Sequence, residues 1–132
     1  MASVFSRIIA GEIPCYKIAE DDRFFAFLDI NPLKKGHTLV IPKQEINYIF
    51  DLDDKTLGDM HIFAKQVAAA IRKAIPCQRI AVMVLGLEVP HAHIHLIPID
   101  REKDANFANP KLKLEQKEFE AIAEQIRQHL AR

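Results

Sequence analysis

The segment Pro90-His91-Ala92-His93-Ile94-His95-Leu96-Ile97-Pro98 constrains this chain more than any other. Histidine alternates with apolar residues along it, and the side chains of a strand alternate between two faces. A strand over residues 91–99 therefore sets His91, His93 and His95 on one face and sends Ala92, Ile94 and Leu96 into a core. Three of the six histidines share that face. Three readings compete for it. A solvated sheet face would mix Thr, Lys, Glu and Ser rather than repeat one imidazole. A zinc site needs ligands from elsewhere, because one strand supplies only part of a tetrahedral shell, and Cys15 and Cys77 lack a ligand-type spacing. Catalysis or anion binding by imidazole fits best, since histidine titrates near neutrality and serves as nucleophile, acid or hydrogen-bond donor.

The rest of the chain supplies a scaffold for that strand. Residues 4–10 form a short helix stopping at Gly11, and 16–20 a short strand. The Phe-rich stretch 23–30 and the β-branched stretch 37–41 read as strands joined through Lys34-Lys35-Gly36, with Pro42 as the stop. Residues 53–75 carry Leu57, Met60, Phe63, Ala64, Val67, Ile71 and Ala74 at helical steps. Residues 79–85 predict a buried strand, 100–113 a polar connection, and 115–130 a second amphipathic helix. Short turns and this order predict an α+β domain, an antiparallel sheet of about five strands with two main helices, spanning residues 1–132.

Composition narrows the partners. Eighteen basic residues cancel 18 acidic ones, so a whole-surface footprint for nucleic acid is absent, and near-zero charge removes one barrier to self-association. No apolar stretch approaches the length of a membrane span or signal peptide. The expected location is the cytoplasm, where two cysteines without a CxxC pair stay reduced. His61 and His129 read as surface residues on the helices.

The triad resembles the signature of the histidine triad (HIT) family. So do Phe5-Ser-Arg-Ile-Ile-Ala-Gly-Glu-Ile-Pro14, and the strand pair with Phe27-Leu-Asp-Ile30, Asn31-Pro32, Gly36-His37 and Leu39-Val-Ile-Pro-Lys43. The resemblance implies a homodimeric α+β meander that binds purine nucleotides and hydrolyses or transfers at their α-phosphate. His93 would be the nucleophile, forming a nucleotidyl-histidine, with its other ring nitrogen donating to a fixed acceptor such as a nearby backbone carbonyl. His95 would contact phosphate oxygens or the leaving group, and His91 and His37 would complete the site, with a protonated imidazole stabilising the phosphorane. Asp29 would accept the ribose hydroxyls, although alone it reads as a strand-ending turn residue. Ile30, Phe27 and Phe5 would form a slot for the base, and backbone near Gly86, Glu88 and Val89 would meet phosphate.

The chain departs from that pattern in two places. The polar loop before the triad is short, with Leu87 at the place of a glutamine and Glu88 where a hydroxyl often donates. Some relatives hold a structural zinc through an N-terminal Cys-x-x-Cys; Ser3 and Ser6 stand here, so no metal and no cofactor are expected. The implied substrate is an AMP-phosphoramidate first and a dinucleoside polyphosphate second, with a non-catalytic purine-nucleotide-binding or signalling module as the alternative.

Overall fold

Alternation along the strands decides the architecture. In the computed structural model, which describes residues 2–130, β1 (Lys17–Glu20), β2 (Phe24–Leu28), β3 (Thr38–Pro42), β4 (Arg79–Met83) and β5 (Ile94–Ile99) form one antiparallel sheet in the order β1-β2-β3-β5-β4. Three helices accompany it: α1 (Val4–Ile9), α2 (Asp54–Ala74) and α3 (Gln116–Gln128). Phe24, Ala26, Leu28, Val40, Ile94 and Leu96 point to the face covered by α2 and α3, where they meet Met60, Phe63, Val67, Ile71, Phe119 and Ile126. Phe25, Phe27, Leu39 and Ile41 point to the opposite face and pack with Phe5 of α1. Both faces of β2 and β3 are buried, which explains their nearly unbroken apolar sequences. Each buried Phe, Leu or Ile contributes about 1.5–3 kcal/mol relative to exposure.

The helices begin and end where local chemistry requires. The Asp53 carboxylate accepts from the Thr56 N–H to cap α2, and Pro76 follows its last turn. Ser3 caps α1 by accepting from the Ser6 N–H. No helix among the described residues is long and apolar enough to cross a membrane.

Two strand expectations need correction. The predicted strand over 91–99 begins only at Ile94. Its ladder to β3 runs from Thr38↔Leu96 to Val40↔Ile94, and continued register would set Pro42 against Ala92. Proline has no N–H to offer, and the Ala92 N–H donates instead to the Ile46 carbonyl, 2.7 Å away. Pro42 itself closes β3, paired with Phe24. The predicted buried strand over 79–85 is instead an edge strand ending at Met83, with Val82 58% exposed. Apolar content does not encode which strand lies outermost. The polar connection also contains one short 3-10 turn, Glu102–Ala105.

Gly36 makes the β2–β3 connection possible. Its φ is +91°, and a Cβ there would lie 2.9 Å from Ile75 Cγ1 and 3.3 Å from Pro98 Cγ. Gly11 has a similar φ of +81° with open space around it. Gly11→Ala should therefore cost about 1–2 kcal/mol from backbone strain alone, and Gly36→Ala a further ~1–3 kcal/mol from overpacking. Urea denaturation of both variants measures the difference; equal losses would remove the packing contribution.

Candidate active site

On the sheet face away from α2 and α3 lies a cleft of about 460 Å³. Strand β5 supplies His95, the chain just before it His93, and α1 closes one side with Phe5. Phe27, Asp29 and Ile30 line the cleft from β2 and the turn that follows, and Gly86, Glu88 and Val89 from the β4–β5 loop. His91 and His37 do not line it. Both are buried behind it, 0% and 1% exposed, and bear on the cleft through other groups.

Hydrogen-bond partners assign every ring's tautomer. The Leu33 N–H donates to His37 Nδ1 at 3.0 Å, so His37 carries its proton on Nε2 and donates to His95 Nδ1 at 3.0 Å. His95 in turn carries its proton on Nε2. Ser3 Oγ donates to His91 Nδ1 at 2.8 Å, and His91 Nε2–H donates to the Pro42 carbonyl at 2.8 Å. His93 is the reverse case: its Nδ1–H donates to the His91 carbonyl at 2.8 Å, leaving the Nε2 lone pair bare. Among the described residues no buried side-chain nitrogen or oxygen lacks a partner. His93 Nε2, which has none in the protein, is therefore open to the cleft. Of the four rings, only His93 offers an unprotonated, unpartnered nitrogen, and His95 beside it offers an N–H.

Burial keeps the supporting rings neutral. It lowers His37 to about 4, with the Lys111 ammonium adding to the effect. It lowers His95 to about 3, helped by the neighbouring rings of His93 and His37. His91 is lowered too, chiefly by burial, against the opposing pull of the Pro42 carbonyl and Glu45. Charge on these buried rings costs desolvation, which runs against the expected protonated imidazole at this face, and His95 presents a neutral N–H toward the cleft.

One ligand atom from each of Asp29, His37 and His95 lies within 4.8 Å of the others, the spacing of a three-ligand cation site. The protons do not fit that use. Freeing His37 Nε2 would move its proton to Nδ1, where it would face the Leu33 N–H. Asp29 Oδ1 accepts from the Asn31 N–H at 2.8 Å, and Oδ2 lies 3.5 Å from His37 Nε2.

Rings wall the site. Phe5 stands edge-on to His93 at 5.0 Å between centroids, and His93 to His95 at 4.9 Å. Phe107 packs edge-on to His95 at 4.8 Å. Phe107 and Lys111 lie in the polar connection 100–113, to which no motif assigns a role, and both line the cleft. No periodicity marks them; an aromatic and a lysine four residues apart in a polar loop were the only signal. Lys111 Nζ rests on the Phe107 carbonyl at 2.5 Å.

The lowered His37 and His95 tie stability to pH. Unfolded imidazoles titrate near 6.5, so as pH falls the unfolded chain binds protons first. This stability is fully present above about pH 6.5 and is lost progressively down to the folded values. Tm should fall between pH 7 and pH 4, and less steeply in His37→Gln. A melting temperature flat across that window in the wild type would contradict the neutral rings.

Comparison with known proteins agrees with this geometry. The model of the HIT domain matches residues 10–102. An adenosine 5'-monophosphoramidase of Schizosaccharomyces pombe is 34% identical over 132 residues, 96% of each chain. An adenylylsulfatase of Arabidopsis thaliana is 33% identical over 136 residues, covering 96% of this chain and 68% of that protein. A crystal structure of a Hit-like protein from Bartonella henselae shares the fold with a TM-score of 0.85 at 33% identity, over 97% of this chain and 96% of the other. With the family model spanning most of its length and the imidazole cluster intact, this chain belongs to the histidine triad (HIT) family.

Proposed function

We propose that this protein hydrolyses purine nucleotide derivatives at the α-phosphate through a nucleotidyl-His93 intermediate. One observation carries the reading: His93 alone among the four clustered imidazoles has its Nδ1 proton fixed on a backbone carbonyl and its Nε2 open to the cleft. The Nε2 lone pair bonds to phosphorus while the bond to the leaving group breaks, its electron pair departing with that group, which takes a proton from solvent. Water then attacks phosphorus, displaces Nε2, releases a proton and frees the nucleotide. His95 Nε2–H donates to a non-bridging phosphoryl oxygen during both steps. Asp29 accepts ribose hydroxyls, and the wall of Phe5, Phe27 and Ile30 receives the base.

The adenosine 5'-monophosphoramidase relative supports AMP-phosphoramidate as the first substrate, with dinucleoside polyphosphates second. Glu88, exposed where the β4–β5 loop lines the cleft, brings a carboxylate that repels phosphate, and this favours the alternative of a nucleotide-binding or signalling module without turnover. A fluorogenic AMP-phosphoramidate separates the two. Wild type should turn it over, and His93→Ala should lose at least about 10³-fold in kcat. Background rates in both would leave the binding module standing.

The assembly is proposed to be a homodimer built on β4. That strand has an unpaired edge, and Val82, Val84 and Leu85 are 58%, 38% and 48% exposed along it and just beyond. Such an edge is normally covered. Sedimentation at micromolar concentration should find twice the 15.1 kDa chain mass, and Val82→Lys should shift the species toward monomer. A monomer alone in the wild type would overturn the assembly.

A further inference from the structure

Behind the cleft, four polar side chains from three parts of the chain converge without lining it. Glu45 Oε1 accepts from the Ser3 backbone N–H at 2.6 Å and from the Ser6 hydroxyl at 2.6 Å. Ser3 Oγ, itself accepting from the Ser6 N–H at 3.0 Å, donates to His91 Nδ1 at 2.8 Å. Ser3 and His91 are buried, and Glu45 is at the surface. Bonds from neutral donors to a carboxylate are stronger than neutral pairs. One carboxylate oxygen therefore fixes both serines that open α1, and through Ser3 it fixes His91.

Two consequences reach His93. The His91 carbonyl is the acceptor that holds the His93 Nδ1 proton, so a steadier His91 keeps Nε2 bare and aimed. Phe5 sits between the two serines in sequence and stands edge-on to the rings of His91 and His93, at 5.8 and 5.0 Å. Loss of the Glu45 contacts frees the start of α1 and Phe5 with it. The Ser6 hydroxyl, 3.4 Å from His91 Nδ1, would then compete with Ser3 for that nitrogen.

We infer that Glu45 is a positioning residue for His93, acting through Ser3, Ser6 and His91 rather than by contact with substrate. The inference rests on the reading of His93 as nucleophile, but its structural half has a readout that needs no turnover. Glutamine keeps an oxygen able to accept from both donors; alanine keeps none.

In steady-state assays with the AMP-phosphoramidate, Glu45→Ala should lower kcat about tenfold, since small misplacements of a nucleophile carry large rate penalties. KM should change less than kcat, because Glu45 itself does not line the cleft and only the Phe5 wall is loosened. Glu45→Gln should recover most of the loss, and Ser3→Ala should reproduce the Glu45→Ala effect from the other end of the relay. In parallel, imidazole nitrogen NMR of the resting protein should show a slowly exchanging His93 Nδ1–H in wild type and Glu45→Gln. That proton should exchange faster in Glu45→Ala. Unchanged kcat and unchanged exchange in Glu45→Ala would overturn the inference, as would glutamine and alanine losing alike. A wild type that turns nothing over, yet shows the expected exchange pattern, would sink the nucleophile and leave the relay.

Discussion

The 2.8 Å hydrogen bond from His93 Nδ1 to the His91 carbonyl is the contact on which the site depends. It is short-range, spanning two residues, yet it is possible only because the chain leaves the β-ladder at Pro42. In a continued strand the His91 carbonyl would be turned to its neighbour strand or away from it. Released from pairing, the segment 91–93 bends so that one residue's carbonyl meets the ring two positions on. A proline at the end of β3 and an imidazole's proton are thus parts of one arrangement, and the His91 ring seals it by donating to Pro42 from the side.

Around that bond the fold arranges donors in sequence, each ring accepting what the previous group donates. From Leu33 through His37 to His95 the protons all point toward the cleft. From Ser3 through His91 they point away, to Pro42. The result is a bare nitrogen beside an N–H, a pairing suited to an electrophile carrying anionic oxygens. Burial disfavours charge on His37, His91 and His95, so these rings present oriented dipoles, beside a wall of Phe5, Phe27 and Phe107.

Much of this was legible in the residues, and the failures have physical causes. The period of two in His91, His93 and His95 was enough to place three imidazoles together, because burial on the other face leaves the register no freedom. The long helix and its Asp53 cap were equally plain. His37 was visible only through its resemblance block, since its partner is distant in sequence and turn residues carry no period. Residues 79–85 read as buried because valine and isoleucine fit an outer strand as well as an inner one. Phe107, Lys111 and Glu45 were invisible for a common reason. Each sits in an irregular segment whose path is set by tertiary contacts, not by local preference.

The sheet order carries one further meaning. β5 slots between β3 and β4, so the ring of His95 finds His37 across a separation of 58 residues. Joining points so far apart costs roughly 4 kcal/mol of chain entropy, recovered only once the intervening α2 has docked. A ribosome-bound chain that has emerged only as far as β4 holds α1, α2, the three strands β1-β2-β3 and a lone fourth strand, but not the paired rings of His37 and His95. The cleft is completed only with the last strand, and a half-folded copy lacks the imidazole cluster altogether.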